Sequence, residues 1–115
     1  MRSVLALLCL ALAACVTPVR VTEVADLAGQ WTGRMAGPRG NAAAQMTIDG
    51  EGAYTGTMYL DTGDRPFRGR LVVVRPGEVR YQSTDGAGAA RLYQERGRPV
   101  LKLRGDDGAD GVFRR

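Results

Sequence analysis

Tyr54-Thr55-Gly56-Thr57-Met58-Tyr59-Leu60 and, beyond Thr62-Gly63-Asp64, Phe67-Arg68-Gly69-Arg70-Leu71-Val72-Val73 decide the fold. In the first run Tyr54, Gly56, Met58 and Leu60 share one face and Thr55 and Thr57 the other. In the second, Phe67, Gly69, Leu71 and Val73 oppose Arg68 and Arg70. A period of two is the signature of a strand with one face in a core and one in water, and a Gly-containing turn between two such runs makes a hairpin.

The same rhythm extends outward in both directions. Trp31, Gly33 and Met35 oppose Gln30, Thr32 and Arg34; Ala44, Met46 and Ile48 oppose Gln45 and Thr47. Downstream, Val79 and Tyr81 oppose Arg80 and Gln82, Leu92 opposes Arg91 and Tyr93, and Leu101 and Leu103 oppose Lys102. Val112 or Phe113 ends the series. Turn signals recur at Gly37-Pro38, Asp49-Gly50, Pro76-Gly77, Asp85-Gly86, Gly97 and Asp107-Gly108, and Gly86-Ala87-Gly88 reads as a turn only. No stretch after Cys15 carries a helical apolar stripe, although Asp26 could cap a single turn at Leu27-Ala28. The expected fold class is all-β: a small antiparallel up-and-down barrel, closed or flattened, of about eight strands, following an N-terminal signal helix. A two-sheet sandwich satisfies the same pattern. The expected core is Trp31, Met46, Tyr54, Met58, Phe67, Leu71 and Tyr81, and the inward Gly33, Gly56 and Gly69 would allow close backbone approach.

The N-terminus reads differently. Met1-Arg2-Ser3 precedes an almost wholly apolar run, Val4 to Ala14, which is too short to cross a bilayer and has the form of a secretory signal. Leu12-Ala13-Ala14-Cys15 resembles the lipobox of bacterial lipoproteins. That resemblance implies cleavage between Ala14 and Cys15, a diacylglycerol thioether on Cys15, and acylation (palmitate, for example) of the new amino group. Membrane lipid, through Cys15, is then the first partner. Val16 rather than Asp after the cysteine implies the outer membrane, facing the periplasm. The expected division is residues 1–14 as signal peptide, 15–25 as lipidated N-terminus and tether, and 26–115 as the barrel domain.

Leu27-Ala28-Gly29-Gln30-Trp31-Thr32-Gly33 resembles the Gly-x-Trp opening strand of the calycin group, in which the tryptophan closes the barrel base. Gly52-Ala53-Tyr54-Thr55-Gly56-Thr57-Met58 looks like the third strand of avidin-like members.

The chemistry is sparse. The 115 residues include no histidine and two cysteines, one of them inside the leader, so Ser-His-Asp and Cys-His catalysis and the usual zinc sites are unavailable to the sequence. No phosphate-binding glycine loop stands between a strand and a helix. Asp49 with Glu51 and Asp61 with Asp64 read as turn carboxylates, and Asp106-Asp107-Gly108-Ala109-Asp110-Gly111 lacks EF-hand spacing. The expectation is a non-enzymatic domain without metal or cofactor. Basic residues outnumber acidic ones, 16 to 12. Arg34, Arg68, Arg70, Arg80, Arg91, Arg104 and Lys102 should form an outer wall, which would meet water, anionic lipid headgroups or an envelope protein; dispersed charge and an exported chain argue against nucleic acid. Three functions remain open: a binding or scaffolding lipoprotein, a carrier of a small apolar ligand, which requires a cavity of about 300 Å³ or more at one mouth, and a periplasmic protease inhibitor whose N-terminal tether enters a protease cleft.

Overall fold

The computed structural model describes residues 16–37, 40–84 and 86–115. Nine strands follow in chain order: β1 (Val16–Val19), β2 (Gly29–Gly37), β3 (Gly40–Ile48), β4 (Ala53–Leu60), β5 (Gly63–Arg75), β6 (Glu78–Ser83), β7 (Gly86–Glu95), β8 (Arg98–Gly105) and β9 (Asp110–Arg114). Every pairing between them is antiparallel. From β2 to β9 each strand pairs with the next, and β9 returns to β2 through Gly33↔Phe113, so eight strands close into an up-and-down barrel. Closure removes the sheet edges that an open meander would leave. The expected signal helix falls within residues 1–15 and lies outside the described residues.

The interior follows the alternation in the sequence. Trp31, Met46, Tyr54, Phe67, Leu71 and Tyr81 are buried, together with Ile48, Leu92, Leu101, Leu103 and Phe113; Met58 is partly buried against this cluster. Phe113, not Val112, is the inward residue of β9.

The glycines on the inner face are matched to aromatic residues. Tyr54 pairs with Gly69, Phe67 with Gly56, Tyr81 with Gly88, and Phe113 with Gly33, each directly across a strand boundary. At all four a methyl group would collide with a backbone carbonyl of a neighbouring strand: Gln82 at Gly69, Gln45 at Gly56, Arg104 at Gly88 and Val112 at Gly33. These positions let a tightly coiled small barrel form, and three of the rings lie against their glycine. Gly86-Ala87-Gly88 is therefore not just a turn. It opens β7, with Gly88 beneath the Tyr81 ring.

The two barrel ends differ. At one end the β3–β4, β5–β6 and β7–β8 turns meet a 3-10 turn, Val24–Leu27, that enters β2. Leu27 is fully buried there and its carbonyl accepts a 2.9 Å hydrogen bond from the Trp31 indole. Arg115 stacks 4.6 Å over the Trp31 ring and donates to the carbonyls of Ala28 and Asp26, both at 3.2 Å. This end is closed. The other end, framed by the β4–β5 and β8–β9 hairpins, is open.

Residues 16–25 carry more structure than their sequence announces. β1 pairs with residues 92–95 of β7, beyond the stretch of β7 that β6 covers. Farther on, the Val21 carbonyl accepts a 2.8 Å bond from the Gly77 amide, and the Val21 side chain is buried.

Candidate functional site

The open end leads into a cavity of about 510 Å³. Its walls come from the inner faces of strands around the whole barrel: Met35, Ala42, Met58, Leu60, Phe67 and Leu103. The cavity exists because of the glycine–aromatic pairs. Glycine at 69, 56 and 88 lets the Tyr54, Phe67 and Tyr81 rings lie along the wall, where a side chain beneath them would push them into the lumen.

Polar groups are few and grouped. Tyr54, Tyr81 and Ser83 bring three hydroxyls to one side; the Ser83 hydroxyl donates a 3.0 Å bond to the Gly86 carbonyl and interacts with the Tyr54 phenol. Burial pushes the Tyr54 phenol up to about 12, Tyr81 adds to the push, and the Ser83 bond opposes it. Tyr81 is also pushed up, chiefly by burial. Both are neutral hydrogen-bonding groups at ordinary pH. Arg65 and Asp107 stand at the rim. Asp107 accepts a 3.0 Å bond from the Ala109 amide, so the acidic Asp106–Gly111 stretch forms a hairpin turn of the kind its residues suggest. Asp49 behaves likewise, accepting from the amides of Glu51 and Ala53 at 2.9 and 3.0 Å.

Of the residues placed in the core, Tyr54, Met58, Phe67 and Tyr81 line the cavity, whereas Trp31, Met46 and Leu71 are buried and do not. Ser83 escapes sequence reasoning, and Asp107 is legible there as a turn residue but not as part of the cavity. Ser83 ends a strand at a hairpin, and only the register, which sets Tyr54 and Ser83 on either side of Gly69, reveals that the two are neighbours. Ala14 and Cys15 lie outside the described residues. The cationic wall is on the outside: Arg34, Arg68, Arg70, Arg91, Lys102 and Arg104 are exposed, and Arg80 is half-buried and bridges to Asp106 at 2.7 Å. Lys102 sits 4.9 Å over the Tyr93 ring, beside its register partner Arg91.

Fold and cavity define the class: a closed eight-stranded antiparallel β-barrel with one plugged end and one open, mostly apolar mouth. Comparison with protein-family models, with curated proteins and with solved structures gives no match.

Proposed function

We propose that this is a non-enzymatic, lipid-anchored protein of the bacterial cell envelope whose barrel carries a small, largely apolar molecule in its open mouth. The observation that carries the reading is the 510 Å³ cavity with apolar walls and a few convergent hydroxyls. Binding sites for small molecules commonly measure about 300–1,000 Å³ and have this composition. The plugged base, with Trp31 against Leu27, is in keeping with the calycin-like resemblance of residues 27–33. The anchor rests on the Leu12-Ala13-Ala14-Cys15 box. Two or three acyl chains, at about 0.8 kcal/mol per buried methylene, hold a protein on a bilayer.

The position of β1 favours a carrier over a protease inhibitor. Its backbone is paired with β7 and is not free to enter a cleft. It also orients the molecule. Val16 lies beside Glu95 at the closed end, so a lipid on the preceding residue would hold that end against the membrane and turn the mouth away. The exposed apolar Val16 supports this orientation, as do Val72 and Val74 on the part of β5 that runs toward the same end.

The test is titration of the purified barrel with N-phenylnaphthylamine, whose fluorescence rises in apolar surroundings. Saturable binding is expected, and Ala42→Trp, which fills the lumen from β3, should weaken it at least about tenfold. No saturable binding, or binding indifferent to Ala42→Trp, would overturn the carrier reading.

A further inference from the structure

Tyr81 brings an unused hydrogen-bond donor into the cavity. It is the inward residue of β6, its ring crosses Gly88, and its hydroxyl reaches Gly105 of β8, where a methyl group would stand 3.1 Å from it. The residue is only 8% exposed and lines the cavity. Among the described residues its hydroxyl makes no hydrogen bond. Nearby polar groups are occupied with others: Ser83 donates to the Gly86 carbonyl and interacts with Tyr54, and Asp107 accepts from the Ala109 amide. No side-chain nitrogen or oxygen sealed from solvent among the described residues lacks a hydrogen bond. The Tyr81 hydroxyl is therefore not sealed, and the space it opens onto is the lumen.

The state of the lumen decides what this donor needs. While the mouth is empty, water can accept the phenol proton. Once an apolar molecule fills the lumen and expels that water, only an atom of the ligand can do so, and a purely hydrocarbon ligand would leave a buried donor unsatisfied. An ammonium group has no lone pair to offer. A carboxylate has, but it would carry its charge among Met35, Met58, Phe67 and Leu103, a costly burial without a counter-ion. Arg65, the one cation lining the cavity among the described residues, is already engaged in a contact. A neutral oxygen meets the requirement.

Resting on the carrier reading, we propose that the mouth takes neutral apolar molecules bearing an oxygen acceptor, such as a ketone or ester carbonyl, and that the Tyr81 hydroxyl donates to that oxygen. The oxygen sits at the level of Gly105, and the rest of the molecule lies against the apolar walls.

The experiment uses the purified protein and three dyes on one dimethylaminonaphthalene scaffold: the propionyl ketone, its propyl analogue without the oxygen, and the carboxylate. Each is titrated against the native protein and Tyr81→Phe. The ketone should lose at least about threefold in affinity in Tyr81→Phe, while the propyl dye loses none. Emission of the bound ketone, which moves to the red when its carbonyl accepts a hydrogen bond, should move to the blue in Tyr81→Phe. The carboxylate should bind the native protein more weakly than the ketone. Equal effects on the ketone and propyl dyes, unchanged emission, or tightest binding of the carboxylate would overturn the assignment and leave the carrier reading intact. Binding of none would remove the carrier reading and the assignment together.

Discussion

Tyr54 and Gly69 face each other across the β4–β5 boundary, and the phenol ring lies over the glycine so closely that a Cβ there would be 2.6 Å from Cζ. The same Cβ would strike the carbonyl of Gln82, so the glycine serves both the approach of β6 and the placement of the ring. Gly69→Ala should cost about 2–4 kcal/mol, because backbone cannot yield as a flexible side chain can. In a domain of this size that is a fall in Tm of roughly 10–25 °C, readable by thermal denaturation. Probe binding at the mouth should weaken in whatever fraction stays folded, since Tyr54 is driven into the lumen. An unchanged Tm would refute the account of the inward glycines.

The base depends on Trp31. Trp31→Phe removes the indole donor and leaves the buried Leu27 carbonyl without it, an expected loss of about 1–3 kcal/mol in urea unfolding. Arg115→Ala removes a stacked but solvent-facing cation and should cost less, about 0.5–1 kcal/mol. The reverse order would mean that the C-terminal arginine, not the indole, holds the plug.

Stability should fall at high pH. Tyr54 is held at about 12 in the fold against 10.0 in the unfolded chain, so the unfolded state loses its proton first. Above pH 10 each further step favours unfolding until the folded phenol also ionises near 12. The hydroxyl faces an open cavity, so the effect is on the order of 1–2 kcal/mol. Urea midpoints measured across this range should decline for the native protein and decline less for Tyr54→Phe. A parallel decline in both would assign the loss to other groups.

The orientation proposed for the anchored protein can be read by quenching. A fluorophore on a cysteine replacing Arg96, in the turn between β7 and β8, should be quenched by nitroxide headgroup lipids when the lipidated protein sits on vesicles. One replacing Thr62, at the mouth, should not be. Eight residues of strand separate such sites by roughly 25 Å. Equal quenching would mean that the barrel lies on its side, with the basic wall of β5 to β8 against the headgroups.

Where a single face is buried, side-chain alternation names the strand: Ala44-Gln45-Met46-Thr47-Ile48 and Phe67 to Val73 are unambiguous for that reason. β1 leaves no such trace. Three of its four residues are exposed, it contains Pro18, and it joins the sheet through its backbone rather than a buried face. Gly86-Ala87-Gly88 misleads because glycine is both a turn former and the residue that a small barrel needs beneath an aromatic ring. The cavity was less legible still. Counting apolar residues gives enough material to fill a barrel, and only the register, with rings flat on glycines, shows that the mouth stays open.

The attachment of β1 also has a mechanical side. Its chain enters at the base and runs up along β7, so a pull on Val16 directed out of the base lies along the strand axis. Tension then loads the bonds of that ladder together in shear instead of opening them one after another like a zipper. On the proposed anchor, such a ladder would resist being torn from a moving surface without any need for a large interface.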